Sequence, residues 1–210
     1  MAPSASCAIS NVHPTFAETI AAQVAAVFRA WGMAEAHIVI TLEHLLYADL
    51  HGIDSHGCAM LLAYRRDLRR GVLAMRPKIE LVRESGTTAL LDGGGGLGHV
   101  PADAAMKLAI QKARTAGVAA VAVRNSGHFG AAGSYVSLAA REGLIGMAMT
   151  NTAKPALVPT FGLEAMLGTN PIAFAAPAAG GPSTSPAGVS APPRRRGHRG
   201  GTGRGAPGLK

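Results

Sequence analysis

The 210-residue chain has few cysteines, few charges and no long apolar run. Cys7 and Cys58 are too few and too far apart for a disulfide framework or a zinc site, which indicates a reducing compartment. No apolar run approaches the roughly 20 residues that a membrane-spanning helix needs. The N terminus has neither the basic start nor the apolar segment of a signal peptide. We therefore expect a cytoplasmic protein that is not inserted in a membrane.

Acidic residues are absent from segment 181–210, which holds six of the 20 basic residues. The rest of the chain carries 14 basic and 12 acidic residues, so most of the net charge of +8 belongs to this segment. A basic protein is a candidate nucleic-acid binder, but here the body of the chain is nearly neutral. The segment is rich in glycine and proline and almost lacks large apolar residues, which predicts a disordered tail.

The first 78 residues have the pattern of a helical region. Apolar residues recur at helical spacing from Phe16 to Trp31, and Thr15 and Glu18 have the spacing of a capping box. Further helices are predicted over 34–50 and from residue 58 towards Gly71. The polar segment HGIDSHG (51–57) between them is predicted to be a loop or a helix junction.

From residue 79 onwards the pattern alternates between strands and helices, which predicts an α/β fold. The expected strands are 79–84, 87–92, 118–125 and 144–151, and the expected helices are 102–117 and 134–143. Strands 118–125 and 144–151 are almost entirely apolar, as is typical of strands buried on both faces. Segment 154–177 is expected to be irregular but packed. The predicted organisation is a helical N-terminal region (1–78), an α/β domain (79–180) and a disordered tail (181–210).

The glycine run after the second expected strand contains the spacing G-x-G-x-x-G, at Gly93, Gly95 and Gly98. This spacing occurs in dinucleotide-binding turns. Such turns are followed about 20 residues later by an acidic residue that binds ribose, but after Asp103 the next acidic residue is Glu142. We therefore interpret the run as a tight strand-to-helix turn in which glycine permits close packing.

Four stretches carry a family resemblance: YADLHGIDSHG (47–57), DGGGGLGHVPADAAMKLAI (92–110), RNSGHFGAAGSY (124–135) and LGTNPIAFAAP (167–177). With these stretches in this order, the chain resembles the malate/L-lactate dehydrogenase family, which also includes ureidoglycolate and sulfolactate dehydrogenases and imino-acid reductases. The resemblance implies NAD- or NADP-dependent hydride transfer at the carbon next to a carboxylate. It also implies a non-Rossmann fold and a homodimer.

Histidine is the expected base for such chemistry, because its pKa permits proton transfer near neutral pH. Of the eight histidines, His56 and His128 lie in predicted loops of the kind that carry functional sites. A loop histidine can also be a solvated or capping residue. From the resemblance we assign the role of proton donor and acceptor to His56, with Ser55 as its relay. His128 is a second candidate for the same role.

The resemblance also implies binding residues. Tyr64 and Thr169 are expected at the substrate, although an aromatic residue on a helix can equally belong to the core. The residues expected to line the cofactor are His128, Phe129, Gly130, Ala131, Ala132 and Thr152. Asn170 is expected to hold its own loop. No cluster of metal ligands is apparent, and the other histidines are assigned no role.

Two features depart from the family pattern. Family members often have an arginine four residues after the histidine of Ser-His-Gly, where it binds the substrate carboxylate. Here that position holds Met60, and Arg65 or Arg66 is the candidate substitute. Family chains also continue after FAAP with an acidic Phe-Asp-x-Ala motif, whereas this chain has STSPAG. We interpret this difference as a truncation or frameshift after about Gly181; the alternative is a genuine divergent tail.

The leading functional hypothesis is an NAD(P)-dependent oxidoreductase that acts on a small 2-hydroxy or 2-oxo acid. One alternative is a non-catalytic truncated fragment. Another is nucleic-acid binding through RRRGHRGGTGRG (194–205), which is not favoured because that segment lacks aromatic residues for base stacking. The sequence does not distinguish NAD from NADP or identify the substrate.

Overall fold

The computed structural model describes residues 17–152, 155–178 and 183–187. The α-helices in these ranges are α1 (Ala17–Ala30), α2 (Glu35–Leu50), α3 (Leu61–Arg69), α4 (His99–Ala116) and α5 (Ala132–Arg141). The strands are β1 (Glu80–Glu84), β2 (Thr88–Asp92), β3 (Ala120–Arg124), β4 (Gly146–Met149), β5 (Ile172–Ala176) and β6 (Ser183–Ala187). None of these helices is long and apolar enough to span a membrane.

The N-terminal region is helical, as the sequence predicts. Val24 and Phe28 lie one turn apart on α1 and are buried in the same core cluster as Ile38 and Leu45 of α2. Helix α3 contributes Tyr64 to this cluster. The proposed capping residue Thr15 lies outside the described residues.

The strands form two three-stranded sheets, which confirms the α/β fold. Strand β2 pairs with β1 in antiparallel and with β3 in parallel orientation. Helix α4 makes the crossover between the parallel strands β2 and β3 that such pairing requires. The second sheet, with the order β4-β5-β6, is antiparallel throughout.

Small residues bring α5 close to the second sheet. Ala173 and Ala175 of β5 are buried in one cluster with Val136 of α5. A Cβ atom on Gly146 of β4 would lie 2.8 Å from the backbone oxygen of Val136, so this position has no room for a side chain. The close approach depends on glycine and alanine at the points of contact.

The prediction that 118–125 and 144–151 form strands buried on both faces is wrong. Met147 and Met149 of β4 pair with Phe174 and Ile172 of β5, and all four side chains are substantially exposed on one face of the sheet. Strand β3 likewise has alternately exposed and half-buried residues. An apolar run predicts two covered faces, but α4 and α5 cover one face of these sheets and no other described element covers the second.

The segment before β5 is also more exposed than predicted. It is irregular from 155 to 171, but the prediction of irregular chain is wrong for 172–176, which form β5. Phe161, Leu163 and Met166 are exposed rather than packed. A single bridge joins Leu157 to Leu167 in this segment. Apolar composition alone led to the expectation of packing.

Two predicted boundaries need correction. Helix α4 begins at His99, three residues before the predicted start, because Pro101 fits the first turn, where backbone N–H groups have no partner within the helix. The prediction of disorder from residue 181 is wrong for β6, which pairs with β5. Pairing through the backbone needs no large side chains, so composition did not reveal it. The rest of the predicted tail, including 194–205, lies outside the described residues.

Phe161 offers a test of the exposed segment. Its backbone is left-handed, with φ of 65°, and its side chain is fully exposed. The side chain therefore makes no packing contacts that would offset the strain of this backbone conformation. Phe161→Gly is expected to raise the free energy of unfolding by about 1 kcal/mol, as measured by urea titration. Leu163→Gly is the matched control, since Leu163 is equally exposed without a positive φ, and it should be destabilising. A loss of stability in both variants would contradict the left-handed backbone conformation of Phe161.

Candidate active site

The turn that carries Ser55 and His56 follows directly from the end of α2. The Oδ2 atom of Asp49, in the last turn of α2, accepts a hydrogen bond from the backbone N–H of Cys58 at 2.9 Å. A Cβ atom on Gly57 would overlap this carboxylate, which explains the glycine of the Ser-His-Gly motif. The segment predicted as a loop or helix junction is a tight 3-10 turn anchored by Asp49.

Within this turn, Ser55 contacts the neighbouring imidazole. Its Oγ atom lies 2.8 Å from Nδ1 of His56, at hydrogen-bond distance. Burial lowers the pKa of His56 below its usual value. The imidazole is therefore neutral at pH 7 and able to accept a proton.

The glycine run after β2 binds the backbone of the second histidine loop. The N–H groups of Gly93, Gly95 and Gly98 donate to the backbone oxygens of Arg124, Asn125 and His128, each at 2.9 Å. These N–H groups are engaged within the protein, so they do not form a cradle for phosphate. The geometry agrees with the interpretation of the run as a close-packed turn, whose effect is to position His128.

His128 lies against Tyr64 and faces His56. Its Nδ1 atom is 2.8 Å from the hydroxyl oxygen of Tyr64. The same atom accepts a longer hydrogen bond, of 3.3 Å, from the N–H of Gly130. The ring centroids of His56 and His128 are 5.3 Å apart. Burial, followed by the nearby charge of His56, lowers the pKa of His128 to about 4.

The two histidines share one arrangement. In each ring Nδ1 is held by a hydroxyl group, that of Ser55 or of Tyr64. The Nε2 atom of each ring has no hydrogen-bond partner among the described residues. Tyr64 is a core residue, because its ring is buried, and its hydroxyl also reaches His128.

The remaining loop residues expected at the cofactor are largely buried. Phe129 stacks on Tyr135, with ring centroids 5.2 Å apart. Gly130 has a φ of 75°, and its backbone packs so closely on His99 that a Cβ atom would lie 2.9 Å from Nε2 of that ring. Ala131 and Ala132 point into the core, so they can reach a ligand only through their backbone. No side chain caps the N terminus of α5, which begins at Ala132.

Thr152 and Thr169 are exposed and lie on neighbouring loops. Asn170 accepts a hydrogen bond at Oδ1 from the N–H of Thr152 at 3.1 Å, so it joins the two neighbouring loops. Among the described residues, no hydrogen bond joins either threonine to the histidine pair.

The arginine candidates for carboxylate binding lie on the solvent face of α3. Arg65 and Arg66 are exposed, and Arg66 lies 3.8 Å from the carboxylate of Asp67. Met60 packs against the N-terminal core. Within the described ranges, no group of three or more potential ligands is arranged to hold a metal ion.

Sequence reasoning missed three buried residues behind the site. His44, His99 and Asp103 are almost completely inaccessible, and the ring of His99 lies 6.2 Å from that of His128. A signal was present, because His99, Asp103 and Lys107 are spaced four residues apart and so share one face of α4.

Acidification is expected to destabilise the fold through this site. The folded-state pKa values of His56, His99 and His128 all lie below the ordinary value of 6.5. The unfolded chain therefore binds these protons more tightly, and stability is lost as the pH falls through about 6.5 towards the folded values. Urea titrations should give a lower free energy of unfolding at about pH 5 than at about pH 7. In His99→Gln the free energy of unfolding should depend less on pH. A free energy of unfolding that does not change with pH in the unsubstituted chain would contradict the expectation.

Comparison with known proteins identifies the family. Residues 16–185 match the family described as malate/L-lactate dehydrogenase. The chain belongs to this family. Among its relatives, malate dehydrogenase of Pyrococcus abyssi is 49% identical over 151 residues, which are 72% of this chain and 41% of that protein. L-sulfolactate dehydrogenase of Methanocaldococcus jannaschii is 45% identical over 149 residues, 71% of this chain and 43% of that protein.

Solved structures of dehydrogenases have the same fold. The malate dehydrogenase of Pyrococcus horikoshii OT3 superposes with a TM-score of 0.76 at 41% identity, over 81% of this chain and 49% of that chain. The chain thus spans less than half the length of each of these three relatives.

Proposed function

We propose that the protein transfers a hydride between a nicotinamide cofactor, NAD or NADP, and a small 2-hydroxy or 2-oxo acid. The observation that carries the proposal is the His56–His128 pair, in which each Nδ1 is held by a hydroxyl group and each Nε2 is left to exchange a proton. Family membership supports it, since the relatives are named for malate and L-sulfolactate, both 2-hydroxy acids.

The residues around His128 suit such a cofactor. The uncapped N terminus of α5 follows directly on the His128 loop, and free N–H groups at a helix N terminus favour anionic groups such as the cofactor's phosphates. We propose that the backbone from His128 to Ala132 holds the cofactor, together with the hydroxyl of Thr152. When bound, the nicotinamide supplies or accepts the hydride.

The histidine pair supplies the proton in this proposal. Reduction of a 2-oxo acid adds a hydride at carbon and a proton at oxygen. Both imidazoles are neutral at pH 7, but a bound carboxylate favours their charged form and raises their pKa values. Because two positive charges 5.3 Å apart repel each other, the pair takes up one proton and delivers it to the substrate oxygen. His56 and His128 both remain candidates for the delivering ring.

Tyr64 and Ser55 orient the two rings, and Tyr64 and Thr169 lie at the substrate in this proposal. Tyr64 is suited to orienting His128 because burial raises its pKa well above the ordinary range, so its hydroxyl stays protonated. The carboxylate is not bound by an arginine at the family's usual position, where Met60 stands.

The proposal is tested by NADH and NADPH binding followed by turnover. Binding is expected to quench or shift the fluorescence of one of the two cofactors, and addition of oxaloacetate, pyruvate or sulfopyruvate should oxidise it. Circular dichroism establishes that the protein is folded. A folded protein that binds neither cofactor would favour the alternative, a non-catalytic fragment.

The proposed assembly is a homodimer. It is supported by apolar side chains that the fold leaves exposed, such as Val39 and Leu50 of α2 and Met149 of β4. Sedimentation equilibrium should give twice the chain mass of 21.3 kDa. A monomer at all concentrations would contradict the assembly.

A further inference from the structure

A carboxylate, an imidazole and a hydroxyl that the proposed hydride transfer does not use lie in contact with one another where α4, α2 and α5 meet. The Nε2 atom of His44 is 3.5 Å from Oδ1 of Asp103. On the other side of the ring, Nδ1 of His44 is 2.5 Å from Oγ of Ser134. The side chains thus have the composition and the order of an Asp-His-Ser triad, in which a histidine activates a serine.

The carboxylate of Asp103 determines which ring nitrogen of His44 carries the proton. Burial alone would raise the pKa of Asp103, but its contacts with His44 and Lys107 lower it overall, so the carboxylate is ionised at pH 7. An ionised carboxylate only accepts hydrogen bonds, and it therefore favours the tautomer of His44 with the N–H at Nε2. The lone pair of the neutral ring is then at Nδ1, where it faces the hydroxyl of Ser134.

The contact between His44 and Asp103 is at the long limit of a hydrogen bond. Among the described residues, Nε2 of His44 and Oδ1 of Asp103 have no other partner, so each is available to the other. Catalytic hydrogen bonds are often long before the substrate binds and tighten in the transition state. When the ring takes up a proton, attraction to the carboxylate shortens this contact.

The hydroxyl of Ser134 is directed away from its own helix. A helical serine commonly donates to a backbone oxygen three or four residues earlier, as Ser137 does to Gly133 at 2.8 Å. Ser134 lies one turn before Ser137 on α5, but its hydroxyl contacts His44. It therefore has the contact with a base that activates a serine nucleophile.

A cleft of about 330 Å³ between α2 and α5 gives access to this serine. Ser134 is part of its lining, although only 4% of the residue is exposed. The walls are largely apolar and include Leu46 and Leu50, and Leu50 lies at the protein surface. The cleft is at the small end of the range of ligand sites, so it suits a short apolar acyl group.

Tyr47 provides a hydroxyl group beside Ser134. It lines the same cleft, and a Cβ atom on Gly133, the residue before Ser134, would lie 3.3 Å from the hydroxyl oxygen of Tyr47. Acyl transfer to a serine places negative charge on the carbonyl oxygen, and a tyrosine hydroxyl is one of the groups that stabilise this charge.

We propose that Ser134 and His44 form a second active site, positioned by Asp103, which hydrolyses esters of short uncharged carboxylic acids. Oγ of Ser134 bonds to the carbonyl carbon, and its proton passes to Nδ1 of His44. The ester C–O bond then breaks, and the leaving alcohol takes that proton. Water, deprotonated by His44 in the same way, displaces Ser134 from the acyl group and returns its hydroxyl proton. Ester and water thus give acid and alcohol, without the nicotinamide or the His56–His128 pair.

The first experiment treats the full chain with diisopropyl fluorophosphate, which bonds through phosphorus to an activated serine oxygen and releases fluoride. Mass spectrometry is expected to find one adduct per chain, on Ser134, and Ser134→Ala should remove it. Ser137→Ala is the matched control, because Ser137 is as deeply buried on the same helix but its hydroxyl contacts no imidazole, and the adduct should remain. A folded chain without an adduct on Ser134 overturns the proposal.

The second experiment measures hydrolysis of p-nitrophenyl acetate. His44→Gln should lower kcat/KM by about 10²–10⁴, the usual contribution of a general base. His37→Gln is the matched control, since His37 lies two turns before His44 on α2 and should leave hydrolysis unchanged. A folded His44→Gln variant with the same kcat/KM as the unsubstituted chain overturns the proposal.

The third experiment tests the positioning role of Asp103 and needs no variant to fold. In the unsubstituted chain labelled with ¹⁵N-histidine, the ring ¹⁵N shifts of His44 are expected to show the N–H at Nε2. An N–H at Nδ1 overturns the proposal, because that nitrogen then has no lone pair for the proton of Ser134. In Asp103→Asn the population should shift towards the Nδ1–H tautomer, and the rate of phosphorylation at Ser134 should fall with it.

Discussion

His128→Gln is expected to lower kcat for 2-oxo acid reduction by about 10²–10⁴, the usual contribution of a general acid–base group. The variant keeps a polar side chain of similar length but cannot carry the proton that the imidazole exchanges through Nε2. His56→Gln should have an effect of the same order, because the two rings lie 5.3 Å apart and share one proton. Steady-state kinetics over a range of pH measures both variants.

The double variant distinguishes a shared proton from two independent groups. If the histidines act as one unit, His56→Gln/His128→Gln should be about as slow as the slower single variant, because residues that act together are not additive. His51→Gln is the matched control, since His51 is exposed and follows α2. Normal activity in both single variants would remove the pair from the mechanism.

Gly98→Ala is expected to lower the free energy of unfolding by about 1–3 kcal/mol, as overpacking of a close contact does. A Cβ atom at this position would lie 2.5 Å from the backbone oxygen of Gly127 and 2.6 Å from Cβ of Phe129. The φ of Gly98 is −70°, so the expected cost is steric and not conformational. Urea titration measures the change.

Gly86→Ala is the matched control, because a Cβ atom there meets nothing within 4 Å and its φ is not positive. It should leave stability unchanged or raise it slightly. Gly98→Ala should also reduce kcat, since the N–H of Gly98 holds the backbone oxygen of His128. Equal stability of the two variants would contradict the close approach of the glycine run to the histidine loop.

Local signals in the sequence predicted the helices, most strands and the two loops that carry His56 and His128. Periodicity and glycine positions act over a few residues, and a single chain reports them directly. The contact between Tyr64 and His128 joins residues 64 positions apart, so no local pattern predicts it. The family resemblance placed Tyr64 near the substrate, and the fold supplied its hydrogen-bond partner.

Burial was harder to predict than secondary structure. The apolar run at 144–151 predicted a strand correctly, but burial on its second face depends on which elements cover it. Sequence reasoning assigned no role to His44, which lies in a predicted helix, or to His99, which directly follows the glycine run. Their importance depends on the packing of α2 against α4, which brings His44 to the His99–Asp103 face.

The open face of the second sheet makes the protein selectively sensitive to oxidants. Met147 and Met149 expose their side chains on β4, whereas Met33 and Met75 are enclosed in the N-terminal core. Peroxide converts accessible thioethers to polar sulfoxides, so mild treatment should mark the first pair and spare the second. Mass spectrometry of the resulting peptides then measures the extent of oxidation at each methionine, with Met33 and Met75 of the core as the internal standard. A partner that covers the β4–β5 face would protect Met147 and Met149 from oxidation.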